Sequence, residues 1–385
     1  MIKVVVLTDH MPWGHRSIAK AIHQYLEATL DAQQFTVLYR QIKLEVGIVE
    51  DFYKLMYRFT PKVGQLSFKL EATSPLTRRV VDELYRKNLP AIRQMLEEEQ
   101  PDLVISAHFF HSLTLVRLRE ANQLPYRIWT VVSDPWTVYH TTIVPGADLH
   151  LVYDGQTRRL AEGMGADPDK IAETGWWVRP QMYQDFDRQQ ARQALGFTDD
   201  RPVIFVGGGS LGTSSLTNFL PALFLIKEKV GFVFNSGTDK ATFLLIERYR
   251  KLLNRMGLKR TVIIKNLGWI DNMAEVLTAC DIVFGKAGPN FLFDVVATRK
   301  PFVAITHIGG QEDGNIDIIK QKNLGWIKEN SVALIKFMNQ YLKNPEWYHH
   351  HCRNSIDAEA QRNQQSLPMV RELVIKEFAN GLPDR

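Results

Sequence analysis

Val203-Ile204-Phe205-Val206-Gly207-Gly208-Gly209-Ser210-Leu211-Gly212 is the stretch on which the fold turns. Its first four residues are uncharged, β-branched or aromatic, as a strand buried on both faces requires. The glycines behind it let the backbone turn sharply and lie close to a ligand. The loop opens toward a helix, whose first amides favour a phosphate. The string also satisfies the literal G-x-G-x-x-G dinucleotide pattern, but that site needs a carboxylate about 20 residues on to hold the ribose. Here Phe232-Val233-Phe234 runs into Asn235-Ser236-Gly237, without one. A purely structural turn is the other alternative.

The same strand, loop, helix pattern recurs on both sides. Upstream, Ile2–Leu7, Phe35–Tyr39, Leu103–Ser106, Arg127–Val132, Leu149–Val152 and Ile171–Thr174 read as strands. His15–Leu30 follows a helical period, with Ile18, Ile22, Tyr25, Leu26 and Leu30 on one face. Around Val178–Pro202 the texture turns polar and the alternation restarts. Gly231–Phe234, Thr261–Lys265, Ile282–Phe284 and Pro301–Ile305 then read as strands, Thr242–Arg255 as a regular helix, and the tail from Asn344 as polar helix. Strands alternating with helices predict an α/β chain of two doubly wound, Rossmann-like domains facing a cleft, with ligands outside the carboxyl ends of the strands.

Composition bounds the class. The chain has 385 residues, 45% hydrophobic and 23% charged, which suits two ordinary globular domains. Cys280 and Cys352 cannot make a disulfide framework, so a reducing, cytoplasmic compartment is expected. No segment reaches the ~20 apolar residues that span a bilayer, and Met1–Thr8 is too short for a signal sequence. The net charge of +5 favours anionic partners. From Arg40 to Arg93 there are 11 Lys/Arg against 6 Asp/Glu, interleaved with Phe52, Tyr53, Tyr57, Phe59 and Phe68. Such a segment, centred on residues 52–79, can lie on an anionic membrane surface, or pack as a helical pair on its own domain. Phosphates, nucleic acid and an acidic membrane face all fit the net charge, which does not choose among them; nucleic acid is not the expected partner. His349-His350-His351-Cys352 is not read as a metal site, because consecutive helical residues point in different directions.

Three further loops carry polar chemistry. Gly285-Lys286-Ala287-Gly288-Pro289-Asn290 follows a strand and starts a helix, adding a cation to a second tight turn. Asp294, about one turn into that helix, could accept hydrogen bonds from ribose hydroxyls. Gly309-Gly310-Gln311-Glu312-Asp313-Gly314-Asn315 crowds amides and carboxylates on a glycine loop, a set suited to sugar hydroxyls or to an ordinary polar turn. Thr8-Asp9-His10-Met11-Pro12-Trp13-Gly14-His15-Arg16 joins the first strand to the first helix. A histidine at a helix N-terminus has its protonation disfavoured, so His15 is a candidate neutral base; a capping or packing role is the alternative.

Together these residues resemble glycosyltransferase family 28, most nearly the monogalactosyldiacylglycerol synthases and bacterial diacylglycerol glucosyltransferases. The resemblance runs from about Val4 to Trp326. It rests on Gly14-His15-Arg16, on Pro101–His108, on Val131–Asp134 with Pro145-Gly146, and on Gly175–Pro180. Lys286-Ala287-Gly288-Pro289 and Gly310-Gln311-Glu312-x-Gly314-Asn315 are its most specific parts. It implies a GT-B fold: residues 1–178 an acceptor (lipid)-binding domain, 179–343 a nucleotide-sugar-binding domain, and 344–385 a helical tail packing back toward the first. It implies inverting transfer of a hexose from a UDP-sugar, UDP-galactose or UDP-glucose, to diacylglycerol, with no obligatory metal, at the cytoplasmic membrane face.

By position, the resemblance implies that Gly208, Gly209 and Ser210 face the diphosphate together with the Lys286, Ala287, Gly288, Pro289 loop. Leu267 and Gly268 would hold the uracil through backbone groups, and Asp294 the ribose. Gln311, Glu312 and Asn315 would serve the sugar loop. His15 would be the base, with Asp134 near the acceptor. Met11-Pro12-Trp13 departs from the family's glycine loop, and Asp294 stands where the family has glutamate. A UDP-sugar epimerase on the same scaffold, or an inactive nucleotide- or lipid-binding homologue, are the alternatives.

Overall fold

The structure, a computed structural model, describes residues 1–10, 14–44, 75–207, 219–258 and 261–379. In chain order the elements are β1 (Ile2–Thr8), α1 (Gly14–Thr29), β2 (Phe35–Gln41), α2 (Pro75–Glu99), β3 (Leu103–Ser106), α3 (Phe109–Asn122), β4 (Arg127–Val131), β5 (Leu149–Val152), α4 (Gly155–Gly163) and β6 (Ile171–Glu173). There follow α5 (Arg188–Ala194), β7 (Val203–Gly207), β8 (Val230–Asn235), α6 (Lys240–Arg255), β9 (Val262–Leu267), α7 (Met273–Ala279), β10 (Ile282–Lys286), α8 (Pro289–Ala297), β11 (Phe302–Thr306), α9 (Asp313–Gln321) and β12 (Gly325–Ile327). Three helices close the chain: α10 (Ser331–Lys343), α11 (Pro345–Gln364) and α12 (Ser366–Glu377).

Every strand expected from the sequence is present, its bounds shifted by two residues or fewer. β12 was not foreseen: three half-buried residues at a sheet edge carry no periodic signal. The residues divide into two compact units. The first holds Met1–Pro180, Gly309–Gly314 and Arg362–Arg385; the second holds Gln181–Ile308 and Asn315–Gln361.

The first unit is built on a six-stranded sheet of order β2-β1-β3-β4-β5-β6. All of its pairings are parallel. β3 is buried along its whole length, whereas β2, at the edge, buries only Phe35. Val5, Leu7, Val104 and Ile128 form one core with Ile92 of α2 and Leu115 and Leu118 of α3. Helix α12 returns to this unit, where Arg371 Nε donates to the Thr29 carbonyl at the end of α1 (3.1 Å).

The second unit carries a parallel six-stranded sheet of order β12-β11-β10-β7-β8-β9. Read from β7, this is the 3-2-1-4-5-6 order of a Rossmann fold. Phe219 lies edge-on to Phe232, Phe234 and Phe284, with ring centroids 5.6, 5.9 and 6.0 Å away, filling one face of the sheet with aromatic carbon.

Candidate active site

Each sheet reverses its strand order at one place, and in open α/β sheets ligands bind outside the carboxyl ends of the strands at such a point. In the first unit the reversal lies between β1 and β3, whose following residues are Asp9 and Ala107-His108. In the second it lies between β7 and β10, followed by Gly208 and by the Lys286–Gly288 turn.

At the first of these, His15 is 9% exposed and its Nδ1 lies 2.9 Å from the Ala107 carbonyl oxygen. A carbonyl only accepts, so Nδ1 carries the hydrogen and the lone pair of the neutral ring belongs to Nε2. Burial lowers the His15 pKa to about 4, while the bond to Ala107 opposes the shift in part. Burial, rather than the helix terminus inferred from sequence, is thus the largest cause of its neutrality.

Two histidines not singled out in the sequence surround it. His108 is the N-cap of α3 and its Nδ1 accepts from Phe110 N–H at 3.3 Å, which assigns its own hydrogen to Nε2. That Nε2 lies 3.8 Å from Asp9 Oδ2. The His108 ring centroid is 4.8 Å from that of His15 and 5.5 Å from that of His111. His111 is fully buried with neither ring nitrogen hydrogen-bonded, and its pKa falls to about 3, through burial first and the charge of His15 second. His108 is also lowered, by burial and then by the charges of His15 and His111. The signal that could have found them is His108-x-x-His111 straddling a strand-to-helix corner beside Ser106, whose hydroxyl donates to the His108 carbonyl.

Elsewhere in the first unit, Asp134 Oδ1 accepts from Gln311 Nε2 at 3.3 Å. Two more bonds join the same segments: Tyr139 hydroxyl to the Gly310 carbonyl (2.7 Å) and Gly314 N–H to Thr137 Oγ1 (2.9 Å). A Cβ on Gly314 would sit 2.5 Å from the Pro135 carbonyl oxygen, so only glycine permits this approach. Trp136 between them holds a left-handed φ of 58°, uncommon for a bulky residue, and its indole N–H donates to Asp154 (2.9 Å). Glu312 is buried beside Gln311.

In the second unit, β7 and β10 approach with glycine on each: a Cβ on Gly285 would lie 2.9 Å from the Gly207 carbonyl oxygen and 2.5 Å from the Phe291 ring. The register slips between Gly285 and Lys286, and the Ala287 N–H donates to the Thr306 carbonyl (2.9 Å). Gly288 is the N-cap of α8, with Pro289 in the first turn and no side chain capping the helix. A helix N-terminus of this kind attracts an anion, and Lys286 stands beside it in sequence. Asn315 Nδ2 donates to the Ala287 carbonyl (2.8 Å) and stiffens the turn.

Asp294 is 8% exposed on α8. Its charge, with that of Glu359, adds to burial in raising the pKa of the buried Tyr183 hydroxyl. Leu267 ends β9 and Gly268 follows it; the Leu267 carbonyl already accepts both the N–H and the hydroxyl of Ser236 (each 3.1 Å). The next residue, Trp269, is 72% exposed, an aromatic face suited to stacking on a base. Gly208, Gly209 and Ser210 lie outside the described residues, as do Met11-Pro12-Trp13 and the basic segment apart from 75–79, whose backbone begins α2. Among the described residues no helix is long and apolar enough to cross a membrane.

Two Rossmann-like units with parallel six-stranded sheets define the GT-B class of glycosyltransferase folds. Acinetobacter baumannii MurG shares this fold at a TM-score of 0.63 and 14% identity, over 98% of this chain and 100% of that one. Anabaena Alr3699/HepE, solved in complex with UDP-glucose, shares it at 0.57 and 13%, over 99% and 100%. Residues 15–178 match the monogalactosyldiacylglycerol (MGDG) synthase family and residues 203–364 the glycosyltransferase family 28 C-terminal domain. The chain belongs to glycosyltransferase family 28. It is 23% identical to the chloroplastic monogalactosyldiacylglycerol synthase of Spinacia oleracea over 88% of this chain, but spans 66% of that relative's length. It is 19% identical to the processive diacylglycerol beta-glucosyltransferase of Bacillus subtilis, over 97% of this chain and 95% of that one.

Proposed function

We propose that this chain is an inverting hexosyltransferase that moves a sugar from a UDP-sugar to diacylglycerol or a related lipid at a membrane surface. The observation that carries the reading is His15: neutral, oriented by the Ala107 carbonyl, with its basic lone pair on Nε2. In the reaction, Nε2 takes the proton of the acceptor hydroxyl as that oxygen bonds to the anomeric carbon. The bond from that carbon to the diphosphate oxygen breaks, and its electron pair leaves with UDP. Lys286 and the amides at the start of α8 offset the charge gathering on the leaving group, aided by the Gly208, Gly209, Ser210 loop. Asp294 serves the ribose, Gly268 and Trp269 the uracil, and Gln311 and Glu312 the sugar. Asp134 acts beside the acceptor, and residues 52–79 meet anionic lipid.

The family relatives, a monogalactosyldiacylglycerol synthase and a diacylglycerol beta-glucosyltransferase, support the diacylglycerol acceptor, and the fold relative solved with UDP-glucose supports a UDP-sugar donor. The test is transfer of radiolabelled sugar from a panel of UDP-sugars into diacylglycerol vesicles, with and without anionic lipid. UDP binding without labelled lipid from any donor would refute the transferase reading in favour of a binding protein. Conversion of a UDP-sugar without acceptor would favour an epimerase.

A further inference from the structure

The buried cluster behind the proposed base has no role in the scheme so far. We propose that His108 is a positioning residue for His15, set so that the Asp9 carboxylate, across the His108 ring, compensates the cation His15 becomes on taking a proton. The inference rests on His15 being the base of the proposed transfer, and deepens that reading.

The geometry is specific. Capping α3 uses the lone pair of His108 Nδ1 and leaves its N–H at Nε2, the atom 3.8 Å from Asp9 Oδ2. The same ring stands 4.8 Å, centroid to centroid, from His15, tilted by 59°. His108 is therefore a neutral, polarised spacer between a carboxylate and the base. The corner that holds it is rigid: the Ser112 N–H and hydroxyl both donate to the His108 carbonyl (3.1 and 3.3 Å), and the Ser112 hydroxyl reaches Thr130 Oγ1 (2.9 Å). The charge of His15 lowers the proton affinity of both His108 and His111, so the cluster favours one proton at a time.

Among the described residues, charged or titratable groups at this corner include Arg16 on α1, Tyr39 on β2 and His111 on α3. Burial raises the pKa of Tyr39, the charge of Arg16 lowers it and the charge of Asp9 raises it. A counter-charge placed one ring away stabilises an imidazolium formed in the transition state without protonating the resting base.

The test uses the full chain with His108→Asn and Asp9→Asn. Asparagine is itself a good N-cap, so the first variant keeps α3 while removing the ring. The His15 ring is titrated by nuclear magnetic resonance, a measurement that needs no transfer. Both variants should lower the His15 midpoint, and His108→Asn should reduce kcat by about tenfold or more with KM for the UDP-sugar held within about twofold. A midpoint that stays, or rises as it would if His108 were itself a repelling cation, overturns the assignment. Wild-type chain that binds UDP and transfers nothing counts instead against the transferase reading, which separates the two failures.

Discussion

His15 shows how one side chain is made into a candidate base. Its position in α1 brings it under the Ala107 carbonyl, which selects the tautomer, and enclosure removes the proton it would otherwise carry near pH 6. His15→Ala should lose about 10²–10⁴-fold in transfer while its Kd for UDP stays unchanged, since only the proton acceptor is removed. Full transfer by that variant would end the base assignment. Trp269 makes a different kind of prediction. If its exposed indole stacks on the uracil, Trp269→Ala should weaken UDP binding by about 1–3 kcal/mol, measured calorimetrically, and leave the fold intact.

Among elements, the start of α8 and the start of α6 make a useful contrast. At α6, Asp239 Oδ1 accepts from the N–H groups of Ala241 and Thr242 (2.9 and 3.2 Å), so its terminus is already satisfied. Asp239→Ala should cost about 1 kcal/mol in stability, by urea denaturation, with no change in UDP affinity. The N-cap of α8 is glycine, which supplies no such acceptor. That helix is fitted to β7 and β10 through the Gly207–Gly285 seam under Phe291. Gly285→Ala should destabilise the second unit by about 1–3 kcal/mol and weaken UDP binding as well, because the added methyl displaces the strand that carries Lys286. A variant as stable as the parent would show that the seam is less tight than its 2.5 and 2.9 Å approaches indicate.

On the scale of the whole molecule, the three buried imidazoles couple stability to pH. His15, His108 and His111 stay neutral in the folded chain well below the ordinary value of 6.5, while the unfolded chain protonates them there. The unfolded state then binds more protons, so stability falls as pH drops from about 6.5 toward 4. Each imidazole contributes at most about 1.4 kcal/mol per pH unit. Denaturant midpoints at pH 7.5, about 5.5 and about 4.5 should show that loss. His111→Leu, which replaces an unpaired buried ring with carbon, should reduce it and raise stability at neutral pH by about 1–3 kcal/mol. Equal pH dependence in parent and variant would remove His111 from the account.

The sequence by itself determined the alternation of buried strand and amphipathic helix, and so placed eleven strands and the helices α1 and α6 close to where they stand. Runs such as Val203–Val206 and Leu103–Ser106 are uniformly apolar or small because both faces of a parallel sheet are covered, and that demand is written locally. It also located His15 at the start of a helix, Lys286 at the end of a strand and Asp294 about one turn into the helix that follows, since loop chemistry depends on neighbours in the chain. Only tertiary structure decided which residues keep company. The tautomer and proton affinity of His15 come from Ala107, 92 residues away, and the orientation of Gln311 from Asp134, 177 residues away. His108 and His111 carry no periodic signal of their own, because burial and charge act through space and depend on the sheet's crossover order, which no local pattern encodes.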